Sequence, residues 1–122
     1  MVSETSGTIG WLVKVTAVLA EANVKIIIMN NNTLGMVRQL QDLFYNKKYA
    51  NVHLSGNPDF VKLAEAYGAT GLRATHPDQL RDVLERGLAT PGVVVMDIVV
   101  ADNLNVYPMV PSGAGLKEMI LN

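Results

Sequence analysis

The sequence predicts an α/β domain of three layers (α/β/α), in which helices cover a parallel, Rossmann-like sheet. Two short apolar runs, Val24–Met29 and Val93–Val100, are rich in β-branched residues, as buried parallel strands are. Segments with apolar residues at helical spacing flank these runs, and alternation of strands and helices favours a parallel sheet. We expect the first of the two strands to be covered on both faces.

The composition fits one globular domain and excludes several classes of function. The 122 residues carry a net charge of −1, without the basic face of a nucleic-acid-binding protein. Because no apolar run reaches membrane-spanning length and no signal-peptide pattern is present, we expect a cytoplasmic protein without membrane contact. The absence of cysteine excludes disulfides and zinc–cysteine sites. The high apolar content predicts that some surface meets a partner.

Two helices are predicted on either side of the first strand. After an irregular start, Trp11–Ala22 has helical spacing and leads into the strand. The second helix runs from about Leu34 to Phe44. Its apolar positions recur at intervals of three and four residues: Leu34, Val37, Leu40, Leu43 and Phe44.

Capping residues predict the bounds of the later elements. Asn57, followed by a proline, is the predicted N-cap of a helix that Gly68 closes. A short strand at Gly71–Ala74 then leads to a helix whose cap is Thr75 or His76.

The most promising site is the asparagine run that follows the first strand. Open α/β sheets bind ligands at the C-terminal ends of their strands, where Asn30, Asn31 and Asn32 stand. Their amide oxygens suit Mg²⁺ with a phosphate co-ligand, and Gly35 precedes helical N–H groups that suit phosphate. An ordinary polar turn explains the same residues, and spacing alone does not decide. The residues alone therefore show half of a phosphate–metal site and no general base.

Longer motifs extend these observations over most of the chain. The sequence contains, in this order, N-N-x-x-L-G-M-V-R-Q, N-P-D-F-x-K-L-A-E-A-Y-G and V-Y-P-M-V-P-S-G-A. From about Val24 to Leu116 it closely resembles the C-terminal part of the acetolactate synthase (acetohydroxyacid synthase) large subunit. Such enzymes are transferases that use thiamine diphosphate (ThDP), Mg²⁺ and usually FAD to join two 2-keto acids in branched-chain amino-acid biosynthesis.

The resemblance implies a division of the chain into three segments. Residues 24–102 would be the C-terminal part of the ThDP diphosphate-binding domain, truncated at its N-terminus. Residues 103–122 would be the tail that folds over the active site, and residues 1–23 a divergent loop and helix.

The resemblance also implies roles for the residues after the first strand. Asn31 would bind Mg²⁺ through its side chain, and Thr33 through its backbone carbonyl. The backbone of Leu34 and Gly35 would lie against the diphosphate. Met36 would lie near the cofactor and the bound keto acid, at the substrate channel.

Two departures from the family pattern concern the metal and the substrate. The family fingerprint is G-D-G, then N-N after roughly two dozen residues. Here Ser3-Glu4-Thr5 stands in place of G-D-G, which leaves Glu4 as the candidate metal ligand. Leu40 stands where the family usually has a tryptophan that lines the substrate channel, and this implies an altered substrate preference.

We expect the isolated chain to be inactive and to bind ThDP and Mg²⁺ weakly or not at all. In the family, the glutamate that activates ThDP lies on a separate pyrimidine-binding domain, and neither that domain nor the FAD domain is found here. A homo-oligomer, or completion by another enzyme chain, is expected through apolar surface on the N-terminal helix and on Met36–Phe44. The alternative is a non-catalytic binding or assembly module, or a truncated reading frame without cofactor binding.

Overall fold

The computed structural model describes residues 16–121, which divide into two compact units. The first unit comprises the chain up to Asn31 together with Gly56–Val100. The second comprises Asn32–Ser55 together with the chain from Ala101 onward. Residues 16–19 are helical, and the earlier part of the predicted N-terminal helix lies outside the described residues.

The first unit contains a parallel sheet of three strands. In chain order the elements of the protein are β1 (Lys25–Asn30), α1 (Gly35–Phe44), α2 (Phe60–Ala66), β2 (Thr70–Ala74), α3 (Pro77–Ala89) and β3 (Val94–Val99). The strand order is β1–β3–β2, and both pairs are parallel. The predicted α/β class and parallel sheet are therefore confirmed.

The prediction that the first strand is covered on both faces is wrong. Among the described strands, β1 lies at an edge of the sheet and β3 at its centre. Ile27 and Met29 on β1 are 43% and 64% exposed, whereas nearly all of β3 is buried. The reason is that α3 packs on β2 and β3 and leaves this face of β1 open.

Helix α2 begins later than the sequence predicts. Its N-cap is Asp59 rather than Asn57, because the Asp59 carboxylate accepts two hydrogen bonds from N–H groups of the first turn, at 3.1 and 3.3 Å. Gly68 follows the helix with a φ of 77°, in the left-handed region that favours glycine there, as predicted.

Helix α3 begins as predicted, with His76 as N-cap and Pro77 in the first turn. The side-chain oxygen of Gln79 accepts hydrogen bonds from the N–H groups of Thr75 and His76, at 2.8 and 3.2 Å. These bonds satisfy backbone donors that the start of a helix otherwise leaves unpaired.

The apolar core lies between α3 and the sheet. Its buried members are Ala74, Val83, Val94, Met96 and Ile98. Gly87 of α3 packs directly on Met96, since a Cβ built at Gly87 would lie 2.3 Å from the Met96 Sδ. The absence of a side chain at Gly87 thus sets how closely the helix approaches β3.

An ion pair between a partly exposed arginine and a buried aspartate connects β2 with β3. The Nε of Arg73 lies 2.8 Å from Oδ2 of Asp97, whose side chain is 1% exposed. The Nη2 of the same arginine lies 2.7 Å from the Asp59 carboxylate at the start of α2. Burial lowers the pKa of Arg73, but hydrogen bonds and charge from the two aspartates outweigh it and leave the pKa raised. The arginine thus joins three elements of the first unit.

The second unit contains α1 and the C-terminal tail. Within the tail a 3₁₀ turn spans Leu116–Glu118. An antiparallel bridge joins Met109 to Ile120. In the part of the chain that the structure describes, no helix has the length and apolar character needed to span a membrane.

Candidate functional site

The chain passes from β1 to α1 through the asparagine run. Asn30 ends the strand, and the boundary between the two units falls between Asn31 and Asn32. Asn32 has a φ of 53°, in the left-handed region that asparagine adopts more readily than most residues. The run therefore turns the chain, and Gly35 begins α1 three residues later.

Thr33 is buried and forms an antiparallel bridge with His53. The N–H of Leu34 donates to the Val52 carbonyl, and the N–H of Leu54 donates to the Asn32 carbonyl, both at 2.8 Å. Since the bridge uses the neighbours of Thr33, the carbonyl of Thr33 itself is directed away from the His53 segment.

The start of α1 has the features of an anion site. The N-cap residue of this ten-residue helix, Leu34, makes no side-chain capping hydrogen bond, and the first turn contains no acidic residue. No carboxylate of the first turn therefore competes with an anion for the backbone N–H groups and the positive end of the helix dipole.

A metal ion at this turn would have few charged ligands. No cluster of three or more acidic, histidine or cysteine side chains suited to a metal occurs in residues 16–121. Glu4, the predicted acidic ligand, lies outside the described residues. The remaining donors are amide and carbonyl oxygens, which suit Mg²⁺ when phosphate oxygens complete the coordination.

Helix α1 buries a polar face and exposes an apolar one. Arg38 and Gln39 are buried, whereas the apolar face is exposed at Met36, Val37, Leu40 and Phe44. The predicted exposure of apolar surface on Met36–Phe44 is confirmed. For the N-terminal helix the same prediction is confirmed at Leu19, while Leu12 and Val15 lie outside the described residues.

Leu40 lines a groove of about 540 Å³ on the second unit. The other residues of the groove are Val37, Gln41, Phe44, Tyr45, Asn46 and Lys48. Met36, the second predicted channel residue, is exposed on the same helix but is not among the residues that line the groove.

Arg38 and Gln39 bind the C-terminal tail, a role that sequence analysis missed. Gln39 Nε2 donates to the Val106 carbonyl at 2.9 Å, and the Val106 N–H donates to Gln39 Oε1 at 2.8 Å. The Arg38 guanidinium donates to the Asn103 carbonyl at 3.2 Å and to Asn105 Oδ1 at 3.1 Å. The sequence signal for this role is that two polar residues, Arg38 and Gln39, lie between apolar positions of α1.

Two further side chains of α1 hold the second unit together. Gln41 exchanges two hydrogen bonds with the backbone of Ala50, at 3.0 and 3.1 Å. Asp42 accepts hydrogen bonds from the Tyr49 hydroxyl and from Asn105 Nδ2. The bond from Tyr49, followed by that from Asn105, lowers the pKa of Asp42.

Comparison with known proteins agrees with this architecture. Residues 14–98 match the family model described as thiamine pyrophosphate enzyme, C-terminal TPP binding domain, thiamine pyrophosphate being a synonym of ThDP. The chain belongs to this family. The match begins earlier than Val24, the residue from which the sequence resembles acetolactate synthase.

Several relatives of this TPP-binding domain are acetolactate synthases. The chain is 43% identical over 101 residues to the large subunit of Cyanidium caldarium, with 82% of this chain and 17% of the relative covered. It is 46% identical over 99 residues to the mitochondrial enzyme of Schizosaccharomyces pombe, with 81% and 15% covered. The predicted resemblance is therefore confirmed, and the chain spans less than a fifth of the length of these relatives.

A solved structure supports the three-layer fold of the TPP-binding domain. The thiamine diphosphate-dependent 4-hydroxybenzoylformate decarboxylase of Rhodococcus jostii RHA1 superposes with a TM-score of 0.68 at 23% identity. The superposition covers 80% of this chain and 18% of the decarboxylase. At this identity the likeness concerns the fold alone.

Proposed function

We propose that the chain is the diphosphate-binding part of an acetolactate synthase-type enzyme that condenses two 2-keto acids. The observation that carries the proposal is the uncapped start of α1 at Gly35, directly after a parallel strand that ends in asparagines. Family membership and identities above 40% to acetolactate synthases support it.

The proposal assigns a role to each residue of the turn. Asn31 binds Mg²⁺ through its side-chain oxygen and Thr33 through its carbonyl, while Gly35 offers backbone to the diphosphate. Leu34 contacts the diphosphate without donating a hydrogen bond, because its N–H is bonded to Val52. When bound, ThDP supplies the carbon nucleophile that attacks a keto group, and Met36 lies beside it.

The groove on the second unit is proposed to belong to the substrate channel. Leu40 lines this groove and lacks the aromatic wall that a tryptophan provides. We expect Leu40 to alter the preference between 2-keto acids, and Leu40→Trp to shift the ratio of kcat/KM values between two such acids in the completed enzyme.

Turnover is proposed to require more protein than this chain contains. Proton transfer at ThDP needs a general acid–base, typically contributing about 10² to 10⁴ in rate, and the proposal places that glutamate on a pyrimidine-binding domain. The exposed apolar face of α1 is the proposed surface for that domain, whether on another chain or a second copy. No acetolactate is expected from pyruvate with this chain alone.

Calorimetric titration of ThDP with Mg²⁺ into the 122-residue chain tests the proposal. Each hydrogen bond to phosphate that is lost with the G-D-G glycines forfeits roughly 1.5–3 kcal/mol, so we expect Kd no better than high micromolar. Asn31→Ala should remove the Mg²⁺-dependent part of the binding heat, while Asn103→Ala, at an exposed asparagine of the tail, should not. Equal heats for the two variants would contradict the assignment of Asn31.

A second candidate is a non-catalytic assembly module. The replacement of G-D-G by Ser3-Glu4-Thr5 and the exposed apolar face of α1 favour it. This candidate predicts association with the partner chain but no heat from ThDP at any Mg²⁺ concentration. Acetolactate formation after addition of a pyrimidine-binding chain, and its loss in Asn31→Ala, would exclude it.

A further inference from the structure

We propose that Lys48 binds the carboxylate of a 2-keto acid in the groove on the second unit, while the apolar wall of the groove holds the alkyl group of the same acid. This role rests on the proposed function and adds to it the residue that recognises the charged end of the substrate. All the residues that line the groove lie between Val37 and Lys48, on α1 and the turn after it. The groove is therefore built from one continuous segment that the structure describes.

The groove combines an apolar wall with a single charge. Val37, Leu40 and Phe44 are partly exposed and form the apolar wall. Lys48 is the one charged residue among those that line the groove. A 2-keto acid has the matching pair of features, because its carboxylate is ionised at neutral pH and its alkyl group is apolar. The groove therefore suits a small anion with an apolar chain better than a neutral or cationic ligand.

The turn after α1 fixes the backbone that carries Lys48. Asn46 and Lys47 have φ angles of 51° and 58°, in the left-handed region that is unfavourable for a lysine. Backbone of this kind persists only where surrounding contacts hold it, and it is frequent at ligand sites. Here the N–H of Lys48 donates to the Tyr45 carbonyl at 3.0 Å, and the side chain of Gln41 bonds to the backbone beyond the turn. The position of Lys48 is thus set before a ligand arrives.

No carboxylate of α1 competes for the ammonium group of Lys48. Asp42 is the one acidic residue of the helix, does not line the groove, and accepts hydrogen bonds from Tyr49 and Asn105. These two bonds lower the pKa of Asp42, and the charge of Lys47 lowers it further. Within the part of the chain that the structure describes, Lys48 forms no salt bridge. The two adjacent lysines therefore differ, since Lys47 acts on Asp42 and Lys48 lines the groove.

Titration of 2-ketobutyrate into the isotope-labelled full chain, followed by amide chemical shifts, tests this role without any cofactor. We expect the largest shifts between Phe44 and Lys48. Lys48→Gln should raise the Kd about three- to fivefold, the range of a favourable exposed ion pair. Lys48→Arg keeps the cation, so its Kd should stay within about 1.5-fold of wild type. The matched control is Lys47→Gln, which should also stay within about 1.5-fold. The methyl ester of the acid, which has no charge, should bind wild type and Lys48→Gln equally.

Several outcomes would overturn the role of Lys48. Equal Kd values for Lys48→Gln and Lys47→Gln would do so, as would shifts centred on Asn31–Gly35 or no shifts with 2-ketobutyrate. The titration of ThDP with Mg²⁺ measures the other site separately. Binding of ThDP without binding of 2-ketobutyrate would refute only the role of Lys48. Binding of 2-ketobutyrate that depends on Lys48, without binding of ThDP, would refute the diphosphate site and leave the groove as a carboxylate site.

Discussion

Gln39 and Val106 are joined by two hydrogen bonds that reproduce the pattern of a strand pair, although neither residue belongs to a strand. The glutamine amide donates to the valine carbonyl at 2.9 Å and accepts from the valine N–H at 2.8 Å. One side chain of α1 thus satisfies a whole peptide unit of the tail, and its loss leaves two backbone groups without their partner.

Gln39→Ala is therefore expected to loosen the tail. Gln39 is buried, although Val106 itself is exposed, and each of the two hydrogen bonds lost contributes about 0.5–1.5 kcal/mol. We expect a lower urea midpoint and faster hydrogen exchange at the Val106 amide.

Gln41→Ala is the matched control for this prediction. Gln41 makes the same two-point contact with Ala50, but Gln41 is less buried than Gln39, so water replaces its lost bonds more readily. Its cost should stay at or below about 1 kcal/mol. Equal losses in the two variants would show that the tail contact is no stronger than a surface contact.

Arg73→Ala is expected to destabilise the first unit strongly. The substitution leaves Asp97 buried without its cation. Breaking a fully buried pair costs about 3–5 kcal/mol. The cost should be lower for this pair, because the arginine side chain is about one-third exposed. Arg81→Ala breaks an exposed pair with Glu85 and should cost below about 0.5 kcal/mol. Urea unfolding of the two variants, followed by circular dichroism, measures the difference.

Gly87→Ala should destabilise the protein although alanine is the better helix former. The gain in helix propensity is at most about 1 kcal/mol, whereas overpacking a core costs about 1–3 kcal/mol. The new methyl group would meet the buried Met96 side chain. Combining it with Met96→Val should recover part of the thermal midpoint, and a midpoint above wild type for Gly87→Ala alone would contradict the close packing.

The stability of the fold should decline on acidification because of Asp42 and Asp59. Both carboxyl groups have a pKa below the ordinary value of 3.8. For Asp59, burial raises the pKa, and hydrogen bonds from the Lys62 amide and Arg73 outweigh it.

A carboxyl group with a lowered pKa in the folded state stabilises that state above its ordinary pKa. This contribution is lost as the pH falls through the folded value. Urea unfolding between neutral pH and about pH 3 should show a falling free energy of unfolding below about pH 4. Asp59→Asn keeps a good capping residue, so it should flatten this slope without removing the cap. An unchanged slope in Asp42→Asn combined with Asp59→Asn would contradict the assignment.

The sequence predicted the strands and helices but not which strand lies at the centre. Val24–Met29 and Val93–Val100 have the same apolar, β-branched pattern, and pattern alone cannot show that, of the three described strands, β3 is the one with a neighbour on each side. Likewise, Asn57 precedes a proline and fits an N-cap, but the Asp59 carboxylate provides the actual cap. The strand order depends on tertiary contacts, and Asp59, besides its local capping bonds, accepts a hydrogen bond from Arg73 on β2.

The site was predictable only where it lies in one continuous stretch. Asn31 to Gly35 follow one another between a strand and a helix, so sequence order alone places them at the end of β1. The contacts of Gln39 and Arg38 join residues more than sixty positions apart, and no local pattern specifies them.

The two faces of α1 are under different constraints. Arg38 and Gln39 hold the chain's own tail, so substitutions there are expected to lower the stability of the folded state. Leu40 and Phe44 face outward, so their side chains can change with little effect on the stability of the domain. Leu40, the residue proposed for the substrate channel, is one of these outward residues. Under the proposed function, the preference for a substrate or an interacting chain can therefore change at this face without any change in the residues that hold the tail.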